Sequence, residues 1–437
     1  MCISLTSQTI GVAVLGRGTV GSEVVRLLLS DATELATRAG APIVLRGVAV
    51  RHPERHRDLP DDLVTDDAAA LIVRDDVDIV VEVIGGIDPP RELLLTAIKA
   101  GKSVVTANKA LLADHADQLT AEARRHGIGL FFEAAVAGAV PVVRPLMQSL
   151  AGDRVSRIVG IVNGTTNFIL SAMAETGAGY AEMLARATAA GYAEADPTAD
   201  VEGYDAAAKA AILASLAFHT PVTAADVYRE GISGITAADF AAATALNCTV
   251  KLLAVCERFT DESGWERISA RVYPALVPLA HPLAAVSGAY NAVVVEAESA
   301  GRLMFYGQGA GGAPTASAVL GDLMTAARSH RHGGGPEYRS GRAALSIAPI
   351  LDTTTRYHID LRVVDRAGVL AGVAAEFAKR EVSIAAVRQE KDGAGVHLTV
   401  TTHAALESAL AATVEAVSGL ASVVEIRGVL RMEGTGE

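Results

Sequence analysis

Between Gly191 and Lys209 the chain reads GYAEADPTADVEGYDAAAK, and five carboxylates (Glu194, Asp196, Asp200, Glu202, Asp205) approach a single lysine. With a helix from Tyr204 onward, Asp205 and Lys209 stand four residues apart and project from one face. On an open surface such a pair is a solvated ion pair worth about 0.3 kcal/mol. Here the Ala-rich, nearly charge-free stretch Ala206 to Phe218 follows, so Lys209 is the only cation on a helix that reads as buried. A lysine in that setting is either paired or functional, and a shifted pKa suits it to proton transfer. The candidate chemistry is acid–base work by Lys209, tuned by Asp205.

A second constellation lies near the start of the chain. The apolar run Ile10 to Leu15 passes into Gly16-Arg17-Gly18-Thr19-Val20-Gly21 and then the helical pattern Glu23 to Leu29. Strand, glycine turn and helix in that order form a dinucleotide-binding pattern: Gly16 permits the turn, Gly18 admits a pyrophosphate, Gly21 lets helix and strand pack, and the helix start offers free N–H groups. The next strand, Ile43 to Val50, ends in Arg51-His52-Pro53-Glu54-Arg55-His56-Arg57 and not in a carboxylate. Arginine at that place suits a ribose 2′-phosphate, so NADP is expected over NAD, with Arg51 as first candidate. His52 and His56, beside a proline and among arginines, read as exposed and not as a metal pair.

These elements extend into a doubly wound α/β pattern, with strands at Ile79 to Val83, Ser103 to Thr106 and Ile128 to Phe132 and a helix at Arg91 to Ala100. Thr106-Ala107-Asn108-Lys109 ends a strand on the carboxyl edge, where open α/β sheets bind ligands, so Lys109, read as a loop residue, is a candidate cofactor or substrate contact. Glu133-Ala134-Ala135-Val136-Ala137-Gly138-Ala139-Val140-Pro141 is a small-residue loop whose carbonyl oxygens could hold a hard cation beside the Glu133 carboxylate.

The middle of the chain reads as α+β. Val155 to Val162 is a strand, Asn163 or Thr165 caps a helix from Phe168 to Ala174, helices follow at Asp205 to Phe218 and Ala241 to Arg258, and β-rich runs occupy Arg271 to Val277, Ala292 to Glu298 and Leu303 to Tyr306. A sheet with helices on one face is expected, its other face serving as a dimer contact. Gly307-Gln308-Gly309-Ala310-Gly311-Gly312 leads into a helix, Ala316 to Ala327, which is expected to return to the cofactor region and set Gly309 near the nicotinamide. Ser329 to Pro336 has linker composition. Beyond it Tyr357, Ile359, Leu361 and Val363 alternate with polar residues, and the pattern continues as βαββαβ, which predicts a ferredoxin-like module free of catalytic groupings.

Composition bounds the partners. Half of the 437 residues are apolar, enough for two or three cores, and a net charge of −12 provides no basic stripe for nucleic acid or an anionic membrane. Cys2, Cys248 and Cys256 form no CxxC pattern, and the latter two, placed eight apart on a helix, are too distant to bridge. With no long apolar stretch, a cytoplasmic protein is expected.

Taken together, GRGTVG (16–21), EVIGG (82–86), VVTANKALLA (104–113), NGTTNFIL (163–170), the acidic segment 191–209 and GQGAGGAPTA (307–316) resemble the homoserine dehydrogenase family over residues 10 to 330. The tail resembles an ACT domain, with Asp365 to Leu370 on its ligand loop. The resemblance implies a monofunctional enzyme with an NAD(P)-binding domain at 1–142 completed by the helix at 308–330, a substrate and dimerisation domain at 143–307, a linker at 329–355 and a regulatory domain at 356–435. It implies reversible NAD(P)-dependent interconversion of L-homoserine and L-aspartate 4-semialdehyde, with threonine as effector of a homodimer or homotetramer. It maps Lys209, Lys109 and Asp205 onto catalytic positions and Glu194, Asp205 and Lys209 onto substrate contacts. Cofactor contacts fall on Gly16, Gly18, Thr19, Val20, Gly21, Arg51, Thr106, Lys109 and Gly309, and a sodium-type cation on Glu133, Val136, Gly138 and Val140. Ala135 and Ala139 depart from that loop's usual pattern, and the Ala139 methyl is expected to disfavour an unusual φ.

Overall fold

The computed structural model describes residues 9–332, 343–392 and 395–434; Cys2 and Gly333 to Pro336 of the expected linker lie outside the described residues. The chain begins with strict β/α alternation. β1 (Ile10–Leu15) runs through the glycine turn into α1 (Thr19–Ser30), α2 (Ala32–Ala39) leads to β2 (Ile43–Ala49), and a two-residue β3 (Val64–Thr65) precedes α3 (Ala68–Ile72). β4 (Ile79–Glu82), α4 (Pro90–Lys99), β5 (Ser103–Thr106), α5 (Lys109–His126) and β6 (Leu130–Phe131) follow. The six strands are all parallel in the order β3-β2-β1-β4-β5-β6, the doubly wound order whose crevice lies at the carboxyl ends of β1 and β4. β1 and β4 are buried along their whole length, as strands with helices on both faces must be.

β7 (Val155–Ile161) opens the second unit and is followed by α6 (Gly164–Thr176), α7 (Tyr180–Ala189), the single turn α8 (Thr198–Val201), α9 (Tyr204–Phe218), a two-residue β8 (Tyr228–Arg229) and α10 (Ala237–Ala245). β9 (Cys248–Thr260), β10 (Glu266–Pro278), β11 (Tyr290–Ala297) and β12 (Gly301–Gln308) complete it, paired antiparallel as β12-β11-β7-β9-β10. One sequence expectation fails here: the helix read over Ala241 to Arg258 ends at Ala245, and both Cys248 and Cys256 lie on β9. The run CTVKLLAVC is buried on both faces, so its apolar residues carry neither the helical nor the alternating period. The break is local: Asn247 adopts a left-handed φ of 55°.

α11 (Gly312–His332) returns across the first unit and packs on α1, α2 and the ends of β4 and β5, as expected of the helix after Gly309. It starts before Ala316 and runs past Ser329, continuing through Gly321, where a Cβ would meet the Arg144 guanidinium at 2.6 Å. Short strands β13 (Ser346–Ile347) and β14 (Thr354–Thr355) then lead to β15 (Tyr357–Val363), α12 (Val369–Ala378), β16 (Ile384–Asp392), β17 (Gly395–Thr402), a two-residue β18 (Ala405–Leu406), α13 (Glu407–Ser418) and β19 (Val423–Met432). The order β19-β15-β17-β16, antiparallel throughout, is the ferredoxin-like arrangement expected of the tail. The tail is not a detached bead. β19 pairs in parallel with β10 through Ala275↔Arg431 and Leu276↔Met432, so middle and tail share one sheet.

Arg431 seals that junction. Its guanidinium lies over Tyr228, Tyr273 and Tyr357 and pairs with Glu230 and Glu407, while Arg157 binds Glu433 at 2.6 Å. Buried charges of this kind persist only when paired and bonded, so they specify one docking of tail on middle.

Candidate active site

The glycine turn has the expected form. Gly16 sits at φ +95°, and a Cβ on Gly21 would lie 2.2 Å from the Gly16 carbonyl oxygen, so a side chain is excluded at each. Gly18 faces open space. Two adjoining cavities flank the turn and share Val83, Ile84 and Gly85. One, of about 470 Å³, is lined by Gly18, Arg51, His52, Arg55 and His56. The other, of about 350 Å³, is lined by Thr19, Val20, Lys109, Lys209 and Gly309. A cleft that passes from a phosphate-accepting turn to a pair of lysines fits a dinucleotide with its reactive end at the lysines.

Lys209 stands at the floor of the second cavity. Its Nζ donates to the Val162 carbonyl at 2.6 Å and to Asp205 Oδ2 at 2.7 Å, leaving one N–H uncommitted. Lys109, the first residue of α5 and not a loop residue, reaches Asp205 Oδ1 at 2.6 Å. Asn163 caps α6 by accepting from the Thr166 N–H and donates its amide to both Asp205 and Asp200. Asp205, its side chain only 5% exposed, therefore bridges the buried Lys209 ammonium and the half-exposed ammonium of Lys109.

Burial alters the three groups unequally. It pushes the Lys209 ammonium below the ordinary lysine range, against the pull of Asp205, and the Lys109 charge adds to the lowering. Burial acts in the same direction on Lys109, but Asp205, then Asp200 and Glu194, more than offset it, and Lys109 is raised. Burial alone would raise the Asp205 carboxyl; the two lysines outweigh it and hold Asp205 well below the usual carboxylate range. The site thus contains a fixed carboxylate, one tightly held ammonium and one ammonium disposed to release its proton.

A profile described as "Homoserine dehydrogenase" matches residues 141–324, and one described as "Homoserine dehydrogenase, NAD binding domain" matches 16–133. A homoserine dehydrogenase of Mycobacterium tuberculosis (strain H37Rv) is 62% identical over 435 residues, covering 98% of this chain and 99% of its own. The chain belongs to the homoserine dehydrogenase family. It is an oxidoreductase acting on a CH–OH group, with an NAD-binding domain. The crystal structure of a homoserine dehydrogenase from Thiobacillus denitrificans superposes with a TM-score of 0.92 at 38% identity, covering 98% of this chain and 99% of that one. A hyperthermophilic archaeal homoserine dehydrogenase solved in complex with NADPH has a TM-score of 0.62 at 26% identity and covers 73% of this chain and 98% of its own.

Several expected roles change once the enzyme is folded. Of the five carboxylates only Asp205 touches Lys209. Asp196 accepts from the Thr198 N–H, Asp200 holds Asn163, Glu202 lies near Tyr180, and Glu194 is exposed, close enough to Lys109 to influence it. Asp205 Oδ2 accepts from Lys209 and Asn163, while Oδ1 faces the Lys109 ammonium at 2.6 Å. Thr106 is fully buried, and its hydroxyl donates to Glu82 at 2.6 Å, so its side chain supports the cavity from beneath and does not line it.

The Glu133 loop also departs from expectation. The Glu133 carboxylate accepts from the N–H groups of Val142, Val143 and Arg144 and from Arg144 Nε, which saturates both oxygens. It cannot also ligate a cation. Val136 and Val140 are fully buried, so only backbone carbonyls of this loop remain as donors. The left-handed residues are Ala137 (φ 56°) and Gly138 (φ 61°), and Ala139 is not among them, so its methyl imposes no strain. A Cβ on Gly138 would meet the Gly309 carbonyl oxygen at 2.4 Å, which seats this loop against the cavity wall. Asp322, whose carboxyl burial pushes up to about 7, accepts the Glu133 N–H, and with Glu133 it shares Arg144. Among the described residues no cluster of His, Cys, Asp or Glu side chains could hold a metal, and no helix is long and apolar enough to cross a membrane.

Glu82 went unread in the sequence. Fully buried at the end of β4, it accepts from the N–H groups of Ile84 and Gly85 as well as from Thr106, while Asn108 caps α5 and donates to the Gly86 carbonyl. This network fixes the loop before Lys109. A carboxylate at the end of an otherwise apolar strand was the available signal.

Proposed function

We propose that this enzyme catalyses the reversible NAD(P)-dependent interconversion of L-aspartate 4-semialdehyde and L-homoserine in threonine and methionine biosynthesis, with Lys209 as proton donor to the aldehyde oxygen. The observation that carries the reading is the Lys109–Asp205–Lys209 bridge at the end of a cleft that begins at a glycine turn. The nicotinamide, when bound, supplies the hydride. Lys209 polarises the carbonyl with its uncommitted N–H and gives up its proton as the alkoxide forms, a role suited to its lowered pKa. Asp205 holds the two ammonium groups in place and stays ionised throughout. Lys109, kept protonated, orients the substrate oxygen. Glu194 at the exposed rim meets the substrate ammonium.

NADP is the preferred cofactor in this reading. Arg51, His52 and Arg55 line the cavity at the end of β2, and the archaeal relative carries NADPH. Carbonyls of Glu133, Val136, Gly138 and Val140 would hold a sodium-sized ion that braces the loop against Gly309. The tail is read as an ACT domain that answers threonine, the assembly as a homodimer or homotetramer with the exposed Tyr290, Met304 and Tyr306 of β11 and β12 at a contact, and the setting as cytoplasmic.

The test follows NADPH absorbance with aspartate semialdehyde for wild type and Lys209→Ala. A kcat lower by roughly 10²- to 10⁴-fold in the variant, with NADPH still bound, is the expected result. A change confined to KM would remove Lys209 from the proton-donor role. For the tail, a chain truncated near residue 341 should lose inhibition by threonine; retained inhibition would place the effector elsewhere.

A further inference from the structure

The glycine turn divides its side chains between the two cavities. Thr19 and Val20 face the lysine side, whereas Arg17 and Gly18 line the cavity at the end of β2, together with Arg51, Arg55 and His56. Among the residues lining that cavity the only carboxylate is Asp66. Arg17 is nevertheless not free to offer its charge. Its Nη1 donates to Asp58 Oδ1 at 2.8 Å and Nη2 pairs with Asp58 Oδ2, a two-pronged grip of carboxylate on guanidinium. Nη1 also lies 3.1 Å from His56 Nδ1, which must accept, since a guanidinium has no lone pair to give.

Two features make this pair unlike a structural strut. Arg17 is largely covered, its side chain 11% exposed, while Asp58 is 64% exposed and can swing into solvent. The Arg17 Nε is buried and finds no partner among the described residues, so the present arrangement leaves one donor of the guanidinium unused. A buried N–H without an acceptor is costly and marks a group whose best partner is not Asp58 alone. A phosphate placed between the turn and Arg51 would draw the Nη groups from Asp58, and the guanidinium, in turning toward it, would bring Nε to a third oxygen. In a doubly wound fold this is where the adenosine ribose lies.

Resting on the NADP reading above, we propose that Arg17, with Arg51, grips the ribose 2′-phosphate and that Asp58 is a resident counter-ion which this phosphate displaces. Asp58 then acts as a specificity filter. It neutralises Arg17 when a cofactor without the 2′-phosphate is bound and competes with the phosphate when one is present, so it attenuates affinity for NADP without touching the rest of the cofactor. The residue inside the glycine motif, usually read only for its backbone, thereby decides the cofactor.

The test needs no turnover. Calorimetric titration of the full-length protein with adenosine 2′,5′-bisphosphate and with adenosine 5′-monophosphate isolates the 2′-phosphate. Wild type should prefer the bisphosphate. Arg17→Met should weaken the bisphosphate by about 10- to 100-fold, the range for charge-assisted bonds, and leave the monophosphate unchanged. Asp58→Asn should tighten the bisphosphate by about 3- to 10-fold, again without effect on the monophosphate. No preference in wild type would defeat the NADP reading itself. A wild-type preference left intact by Arg17→Met, or equal losses for both ligands, would overturn the assignment to Arg17 while sparing that reading. Weaker bisphosphate binding by Asp58→Asn would show Asp58 to be a strut.

Discussion

Replacing Asp205 by Asn keeps the shape of the bridge and removes the charge that holds it. Coulomb's law with an effective dielectric constant of about 20 puts the attraction between Asp205 and Lys209, 2.7 Å apart, at no more than about 6 kcal/mol. Lys109 draws on the same carboxylate and the charge is spread over two oxygens, so about a third of that figure, about 2 kcal/mol, is a conservative loss. It corresponds to a roughly 30-fold fall in the ratio of protonated to neutral Lys209 at a given pH. The true effect is larger, because burial is then opposed only by the more distant Asp200 and Lys109 repels its neighbour. On the alkaline limb of the wild-type profile, kcat for aldehyde reduction should drop about 30-fold or more, the limb being displaced to lower pH. Homoserine oxidation requires the neutral amine, so its acid limb should move the same way. The assay is kcat against pH in both directions at saturating cofactor. Limbs that superimpose on those of wild type would mean that Lys209 is not the titrating donor, or that Asp205 does not hold it.

Gly309→Ala should place a Cβ 2.2 to 2.4 Å from the side-chain amide of Asn291, which is fully buried, so the amide or the turn must shift. A loss of about 1 to 3 kcal/mol in denaturant unfolding and a kcat lower by about 10²-fold are expected, as the turn is forced into the lysine cavity. Arg431→Leu strands Glu407, which is 2% exposed, and should cost about 3 to 5 kcal/mol, measured by urea unfolding of the full chain. Burial alone would raise the Glu433 carboxyl, but Arg157 at 2.6 Å holds it below its ordinary value of 4.5. Its stabilisation is complete above that pH and disappears as pH falls through the depressed value, so Glu433→Gln should flatten the acid limb of a melting-temperature profile. Cys256, whose thiol burial pushes up to about 12, should resist thiol reagents until the protein unfolds, as a timed modification in native buffer would register.

How much of this was legible beforehand depended on the range of the signal. Strand, glycine turn and helix are consecutive, so the cofactor crevice could be read from residues 10 to 29, and the helical pair Asp205–Lys209 from a spacing of four. The strand β9 could not, because a run buried on both faces loses its period and only its pairing with β7 and β10 separates strand from helix. The tail's alternation announced its own sheet, yet its union with β10 rests on two residue pairs distant in sequence.

By itself, then, the sequence determined the local devices: the phosphate turn, the cap at Asn163, the lysine on an apolar helix and the two-faced strands of the tail. Each follows from the stereochemistry of a few adjacent residues. Tertiary structure alone decided which of those devices act together. Lys109 meets Asp205 only because α5 packs on α9, and that contact sends the two lysines' proton affinities in opposite directions. Glu133 looked like a cation ligand until Arg144 and three backbone N–H groups claimed its carboxylate. The physical reason is common to both cases. The strength of a charge depends on what surrounds it in the interior, and those surroundings come from segments far apart along the chain.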